Sequence, residues 1–362
     1  MKTIYHYGGW GRNYGDLAIQ AGMMVTLYEM AGRFGETISF VPIDLKQNSP
    51  LDLDFINLIN HKGDMLLVGG GGLLMQGDGF RTRSGWQFNI DKDDLDRLDI
   101  PLVIYGIGYN LFPGHEKIFD DSIFAHIWKT HKISKLFSVR DLGTKQWLVE
   151  HGIKDIDVIP DPAMFCPRYL PNSNIQSQLC VGLCWAGDRM DQRFPPYGND
   201  EHIIKKVSDI LLEFLEKQGG GRVVYIPHVG EYDWKGAELF EQYLGDSFCN
   251  VAEEFPSLFP ESLAQVPLLV GIYSMMDVVV GMRGHSNIIP YSQGVPVIGF
   301  GIHQKNQFFA DSVRGITIGN DCEGLAEALA ESILKTVSPS LQPERRVIEE
   351  FNRRVLNVLH NT

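Results

Sequence analysis

Short apolar runs alternate with amphipathic stretches along most of the chain, and many of the apolar runs end directly in glycine. A strand buried on both faces must return to its sheet through a covering segment. Repeated βα alternation therefore predicts parallel sheets with helices on either side. In the first half the candidate strands are Thr3–Tyr7, Ile38–Val41, Met65–Val68, Leu102–Tyr105, Leu136–Ser138 and Asp157–Ile159, with helices over Asp16–Ala31, Ile118–Lys129 and Leu142–His151. The stretch Cys166–Gln178 is polar and aperiodic and reads as a linker. A second series follows, with strands at Val181–Trp185, Val223–Ile226, Val278–Val280, Val295–Gly299 and Gly315–Ile318. Its helices lie near Ile203–Glu216, Lys235–Tyr243, Ser262–Ser274 and Cys322–Thr336, and Pro343–His360 closes the chain as a charged amphipathic helix.

At 362 residues the chain exceeds what one hydrophobic core usually serves. The expected division is 1–165, a linker at 166–178, a second domain at 179–340 and a terminal helix within 341–362. The fold class is α/β, two Rossmann-like domains facing a central cleft, with ligands at the carboxyl ends of the strands.

Charge and cysteine usage exclude several alternatives. A formal charge of −13 repels a nucleic-acid backbone. No apolar run approaches the ~18 residues of a membrane span, and the first residues run straight into a glycine loop rather than a leader. A cytoplasmic location follows as an expectation, with the inner membrane surface as the place to meet any lipid-linked acceptor. The five cysteines are scattered and form no C-x-x-C pair, so neither a bound metal nor a redox couple is expected. Nothing in this pattern speaks against a homo-oligomer.

The chemistry-bearing residues lie in loops that follow strands. Gly8–Asp16 carries Arg12, Asn13 and Asp16 at a helix start, where Asp16 reads equally well as a helix cap. Gly69–Gly72 follows the third strand, but Leu74 occupies the last glycine position of G-x-G-x-x-G and Leu111 does the same after Gly106. A dinucleotide cofactor is disfavoured on that count. The long Gly77–Asn89 segment, with Arg81, Arg83 and Trp86, suits either a substrate-binding lid or a solvated loop. The most informative stretch is Asp277–Pro290, a buried strand followed by Arg283, Gly284 and His285 at a helix start that Ser286 would cap. That arrangement prepares a place for a phosphate or carboxylate. Arg189, His228 and Lys305 follow other strands of the second series and could complete it.

In these loops the chain resembles the polysaccharide pyruvyl transferase family. The resemblance rests on Gly11-Arg12-Asn13-Tyr14-Gly15-Asp16, Asp64 with Gly69–Leu73, Gly106-Ile107-Gly108 and Ser138-Val139-Arg140-Asp141. It continues through Asp161-Pro162-Ala163, Val280–His285 and Gln293–Ile298. It implies a GT-B-like fold and transfer from phosphoenolpyruvate to a sugar or oligosaccharide, giving a pyruvyl ketal on two hydroxyls with no cofactor. The family's Arg-Leu-His matches Arg283-Gly284-His285, with glycine in place of leucine. On this reading Arg283, Gly284, Ser286, Arg189, His228 and Lys305 bind the donor. Arg12, Asn13, Gly70, Gly71, Arg81, Arg83 and Trp86 bind the acceptor. His285 is the general acid, and Asp16 or Asp161 deprotonates the acceptor. The rivals are a nucleotide-sugar glycosyltransferase of the same architecture and a non-catalytic glycan-binding relative.

Overall fold

The computed structural model describes residues 1–45, 50–75, 82–110, 112, 119–172, 179–194, 200–313, 315–334 and 341–361. Two compact units emerge. The first comprises residues 1–11, 19–165 and 341–362, and the second residues 12–18 and 166–340. The first turn of the first helix thus groups with the second unit, and the terminal helix with the first.

Unit 1 is built from β1 (Lys2–Gly8), α1 (Tyr14–Phe34), β2 (Ile38–Asp44), α2 (Leu53–Lys62), β3 (Met65–Leu74), β4 (Leu102–Tyr109), α3 (Asp121–Ile133), β5 (Leu136–Val139), α4 (Leu142–Glu150) and β6 (Asp157–Val158). All pairings are parallel, in the order β2-β1-β3-β4-β5-β6. Carboxylates start its helices: Asp52 accepts the Phe55 amide, Asp120 the Ser122 and Ile123 amides, and Asp141 the Thr144 amide.

Unit 2 follows with β7 (Cys180–Cys184), α5 (Met190–Arg193), α6 (Glu201–Lys217), β8 (Arg222–Tyr225), α7 (Gly230–Leu244), β9 (Phe248–Asn250), α8 (Val251–Glu254), α9 (Val266–Tyr273), β10 (Val278–Gly281), α10 (His285–Ser292), β11 (Val297–Phe300), α11 (Gln304–Val313), β12 (Ile316–Ile318) and α12 (Leu325–Leu334). Its sheet is also all parallel, in the order β12-β11-β10-β7-β8-β9. Trp185, Phe194, Tyr225, Phe240 and Phe300 fill its core. The last helix, α13 (Gln342–His360), returns to unit 1, where Phe351, Val355 and Leu359 join Met23, Leu27 and Tyr105 in one apolar cluster.

Two expectations change. The Gly69–Gly72 and Gly106–Gly108 segments are not loops but continue β3 and β4, with a register shift between Gly71 and Leu74. α10 begins at His285 with Gly284 as its cap, so Ser286 lies within the helix. The Ser286 hydroxyl donates to the Arg283 carbonyl rather than accepting a helix amide, and Pro290 falls in the second turn. Of the segment read as a linker, 166–172 is described: Cys166 is buried, residues 167–170 are exposed, and the Tyr169 amide donates to the Pro267 carbonyl.

Candidate active site

In unit 2 the connections from β7 run one way across the sheet and those from β10 the other. The carboxyl ends of these adjacent strands form a topological switch point, where open α/β sheets bind ligands. Residues 185–189 leave β7 there and residues 282–284 leave β10.

Arg283 lies at the centre of the exit. Its Nε donates to Asp233 Oδ2 at 3.0 Å, and its Nη2 donates to Asp233 Oδ1 and to Asp188 Oδ1, the latter at 2.8 Å. Asp233 is the fourth residue of α7 and is fully buried. Its carboxylate also accepts the amides of Gly187, His228 and Val229 at 3.2, 2.9 and 3.0 Å. One carboxylate thereby stitches together the exits of β7, β8 and β10. Gly187 is required at this junction, since a Cβ there would stand 1.7 Å from the Tyr232 carbonyl oxygen.

Asp188 is held well below the usual carboxylate range. Its burial works against ionisation, but Arg283, Arg193, Lys305 and Arg189 outweigh it. Arg193 donates to the Asp188 carbonyl at 2.8 Å and pairs with its carboxylate at 3.2 Å; burial draws its pKa down to about 10, leaving it cationic at neutral pH. Burial lowers the Arg283 pKa, but Asp233 and Asp188 more than reverse this and keep it charged. Among the described residues, four cations act on Asp188, while Asp188 and Asp233 supply the opposing charge. Cationic side chains thus gather at this exit. Arg283 itself is largely engaged by the two acids.

His285 opens α10 beside the first turn of α1. A Cβ on Gly15 would come within 2.5 Å of its Nδ1, so only a glycine lets the ring sit there. Asn13 caps α1 through its side chain, which accepts the Gly15 amide at 2.9 Å, and the Tyr14 amide donates to the His228 carbonyl at 3.0 Å. Tyr14 Oη donates to the Leu258 carbonyl. Arg12, Asn13 and Asp16 accordingly share a unit with His285 rather than with the first sheet. Asp16 is not the cap; it lies in the first turn, half-buried. His228 is fully buried with Nε2 2.6 Å from Tyr273 Oη, and burial, then Arg283 and His285, drive its pKa far down. It is a neutral imidazole.

Other expected site residues have structural work. Gly70 and Gly71 are buried with positive φ, and a Cβ on Gly70 would meet Ile19 Cγ2 at 2.5 Å. Gly70 is thus closely packed against α1. Trp86 is fully buried and donates from Nε1 to His126 Nδ1 at 2.9 Å. Arg83 makes an exposed pair with Asp91 at 2.7 Å. Asp161 is buried against Arg140 at 3.4 Å and accepts the Ala163 amide at 3.0 Å, which makes it a poor free base. Arg81 lies outside the described residues. Asp188, Asp233 and Arg193 were not foreseen. The Gly187-Asp188 pair just after a buried strand was the available signal for the first of them.

A sequence model of the family described as polysaccharide pyruvyl transferase matches residues 13–304, most of the chain. This chain belongs to that family. Membership in the polysaccharide pyruvyl transferase family makes it a transferase. No curated protein matches it. Among solved structures it is similar to UDP-GlcNAc 2-epimerase from Methanocaldococcus jannaschii, at 12% identity with 100% of both chains covered and a TM-score of 0.59. The UDP-GlcNAc 2-epimerase from Neisseria meningitidis gives the same identity, coverage and TM-score. An α,α-trehalose-phosphate synthase (UDP-forming) from Burkholderia vietnamiensis shares 10% identity over 99% of this chain and 93% of that one, with a TM-score of 0.52. At such identities the likeness concerns fold alone, and it agrees with a GT-B-like architecture for this pyruvyl transferase family member. No helix among the described residues is long and apolar enough to cross a membrane.

Proposed function

We propose that the protein transfers the enolpyruvyl group of phosphoenolpyruvate onto two hydroxyls of a sugar, in a polysaccharide or its precursor, forming a pyruvyl ketal and releasing phosphate. The supporting observation is the cluster of cations at the switch point with His285 beside it. Phosphoenolpyruvate carries a phosphate and a carboxylate, so it needs cations to hold it. Arg189 and Lys305 supply these, and Arg283, fixed by Asp233, holds the β10 exit in place. His285 donates a proton to the methylene carbon, leaving an oxocarbenium-like centre at the neighbouring carbon. A first sugar hydroxyl adds there, with its proton passing to Asp16. Phosphate departs as the bond between that carbon and the bridging oxygen breaks, and the second hydroxyl closes the ketal, passing its proton to the now neutral His285. The scheme uses phosphoenolpyruvate as a substrate and calls on no cofactor.

Incubation with phosphoenolpyruvate and a panel of glycosides should release phosphate only when a suitable diol is present, with a ketal carbon signal in the product. Phosphate release from no acceptor in a broad panel, alongside turnover of a nucleotide sugar, would replace this reading with glycosyl transfer.

A further inference from the structure

In unit 1 a cavity of about 540 Å³ lies along β2, the outer strand of the sheet, and α2, and none of the residues given a role so far lines it. Its size is that of a small-molecule site. Parallel register sets Tyr5 of β1 beside Val41 of β2, and Phe55 of α2 meets the Tyr5 ring edge-on with centroids 6.4 Å apart. Leu58, one turn further along α2, is 39% exposed. Trp10 stands just beyond the end of β1, and three contacts fix it. Its Nε1 donates to the His6 carbonyl at 3.2 Å, its amide donates to Asp44 Oδ1 at 3.3 Å, and its ring meets that of His6 edge-on at 5.3 Å. Even so, Trp10 is only half-buried. An indole that the chain anchors but does not cover offers a broad apolar face that needs no ordering when something binds to it.

We propose that this cavity is a carbohydrate subsite, in which a sugar residue of the acceptor stacks on Trp10. The lining sets the rings of Trp10, Tyr5 and Phe55 beside the Asp44 carboxylate and the Tyr5 phenol. A pyranose has the matching character, with C–H groups on its ring faces and hydroxyls around its rim. The electron-rich face of an indole attracts polarised C–H groups, while phenol and carboxylate exchange hydrogen bonds with hydroxyls. A wholly apolar peptide segment would leave those polar groups unmatched. Membership in a polysaccharide pyruvyl transferase family points the same way. The assignment rests on the glycan acceptor of the reaction proposed above.

The test follows the Trp10 indole N–H by nuclear magnetic resonance in the full-length, nitrogen-15-labelled protein, its signal identified by its loss in Trp10→Phe. Methyl glycosides of glucose, galactose, mannose and N-acetylglucosamine are titrated without phosphoenolpyruvate, and at least one should move that signal saturably. Leu58→Arg, which fills the cavity from an exposed helix position, should weaken that titration by tenfold or more. In turnover assays Trp10→Ala should raise the acceptor KM on the order of tenfold, as for one lost stacking contact, with kcat and the phosphoenolpyruvate KM within about twofold. Trp10→Phe, which keeps a ring, should recover most of that loss. A Trp10 signal that no glycoside moves, a titration unchanged in Leu58→Arg, or a rise confined to the phosphoenolpyruvate KM would each overturn the proposal. Leu58→Arg keeps the test decisive if Trp10→Ala fails to fold. Glycoside binding at Trp10 without ketal formation on any acceptor would remove the assigned reaction and leave the subsite standing.

Discussion

Arg283 and Asp233 illustrate how far a residue's partners can lie from it in sequence. Arg283 and His285 were legible because they directly follow a buried strand, a position that exposes side chains at a sheet's carboxyl edge. Asp233 was not legible, since it lies 50 residues away within a helix and only the stacking of β7, β8 and β10 brings it back. The consequence is that Arg283→Ala should cost stability before it costs anything else. It leaves the fully buried Asp233 without its guanidinium, a change worth about 3–5 kcal/mol. Urea unfolding should show that loss, and adding Asp233→Asn should recover part of it. Equal stability of wild type and Arg283→Ala would mean the ion pair is dispensable. At His285 the expected effect is on rate instead. His285→Asn should lower turnover by roughly 10²-fold or more while phosphoenolpyruvate affinity stays within several-fold. A raised KM with turnover intact would make His285 a ligand rather than an acid.

Elements were read well where hydrophobic runs end abruptly and poorly where glycine continues a strand. β3 and β4 extend through glycines that look like loops in sequence, because close approach of Gly69 to Tyr105 requires their small size: a Cβ there would be 2.0 Å from the Tyr105 carbonyl oxygen. α2 and α11 escaped notice because each is short and buries few side chains, chiefly Ile56 and Ile59 in the first and Asn306, Phe309 and Ala310 in the second. Helical glycines carry a sharper lesson. Gly22 in α1 and Gly271 in α9 each touch a crossing segment, and a Cβ would fall 1.8 Å from the carbonyl oxygens of Pro162 and Tyr169 respectively. Glycine to alanine in a helix interior ordinarily stabilises by up to about 1 kcal/mol. Here Gly22→Ala and Gly271→Ala should instead lower the melting temperature, by an amount matching about 1–3 kcal/mol of overpacking. A rise in either melting temperature would show that the crossing segments yield easily.

Across the molecule, acid sensitivity should arise in both units, from His228 in unit 2 and from two further buried histidines in unit 1. His6 and His126 are buried there, and burial lowers both to a pKa of about 4, against the hydrogen bonds to the Gly69 and Ile90 carbonyls that favour the charged form. Trp86 donates to His126 Nδ1, so Nε2 carries the proton toward Ile90 and the ring is neutral. The unfolded chain takes up these protons near pH 6.5, the native state only near pH 4, so stability falls as pH drops through that interval. The loss approaches on the order of 3 kcal/mol for each histidine. Denaturant midpoints between pH 7 and pH 4 should decline accordingly, and His6→Gln with His126→Gln should flatten the slope; a wild-type profile flat over that range would contradict it.

The return of α13 to unit 1 was the feature least visible beforehand, since an amphipathic helix does not say which core it covers. Phe351 packs on Tyr105 with ring centroids 5.5 Å apart, and Tyr105 Oη donates to Asn352 Oδ1 at 2.7 Å. Phe351→Ala should therefore cost about 3–5 kcal/mol in unit 1, which a calorimetric scan would register. The same return sets an order of events during synthesis. A nascent chain usually completes its domains from the amino terminus as they emerge. Here the first sheet waits, with Met23, Leu27 and Tyr105 uncovered, until α13 has left the ribosome. Any product that stops short of α13 leaves that apolar groove open, and so exposes itself to chaperones and proteases as unfinished.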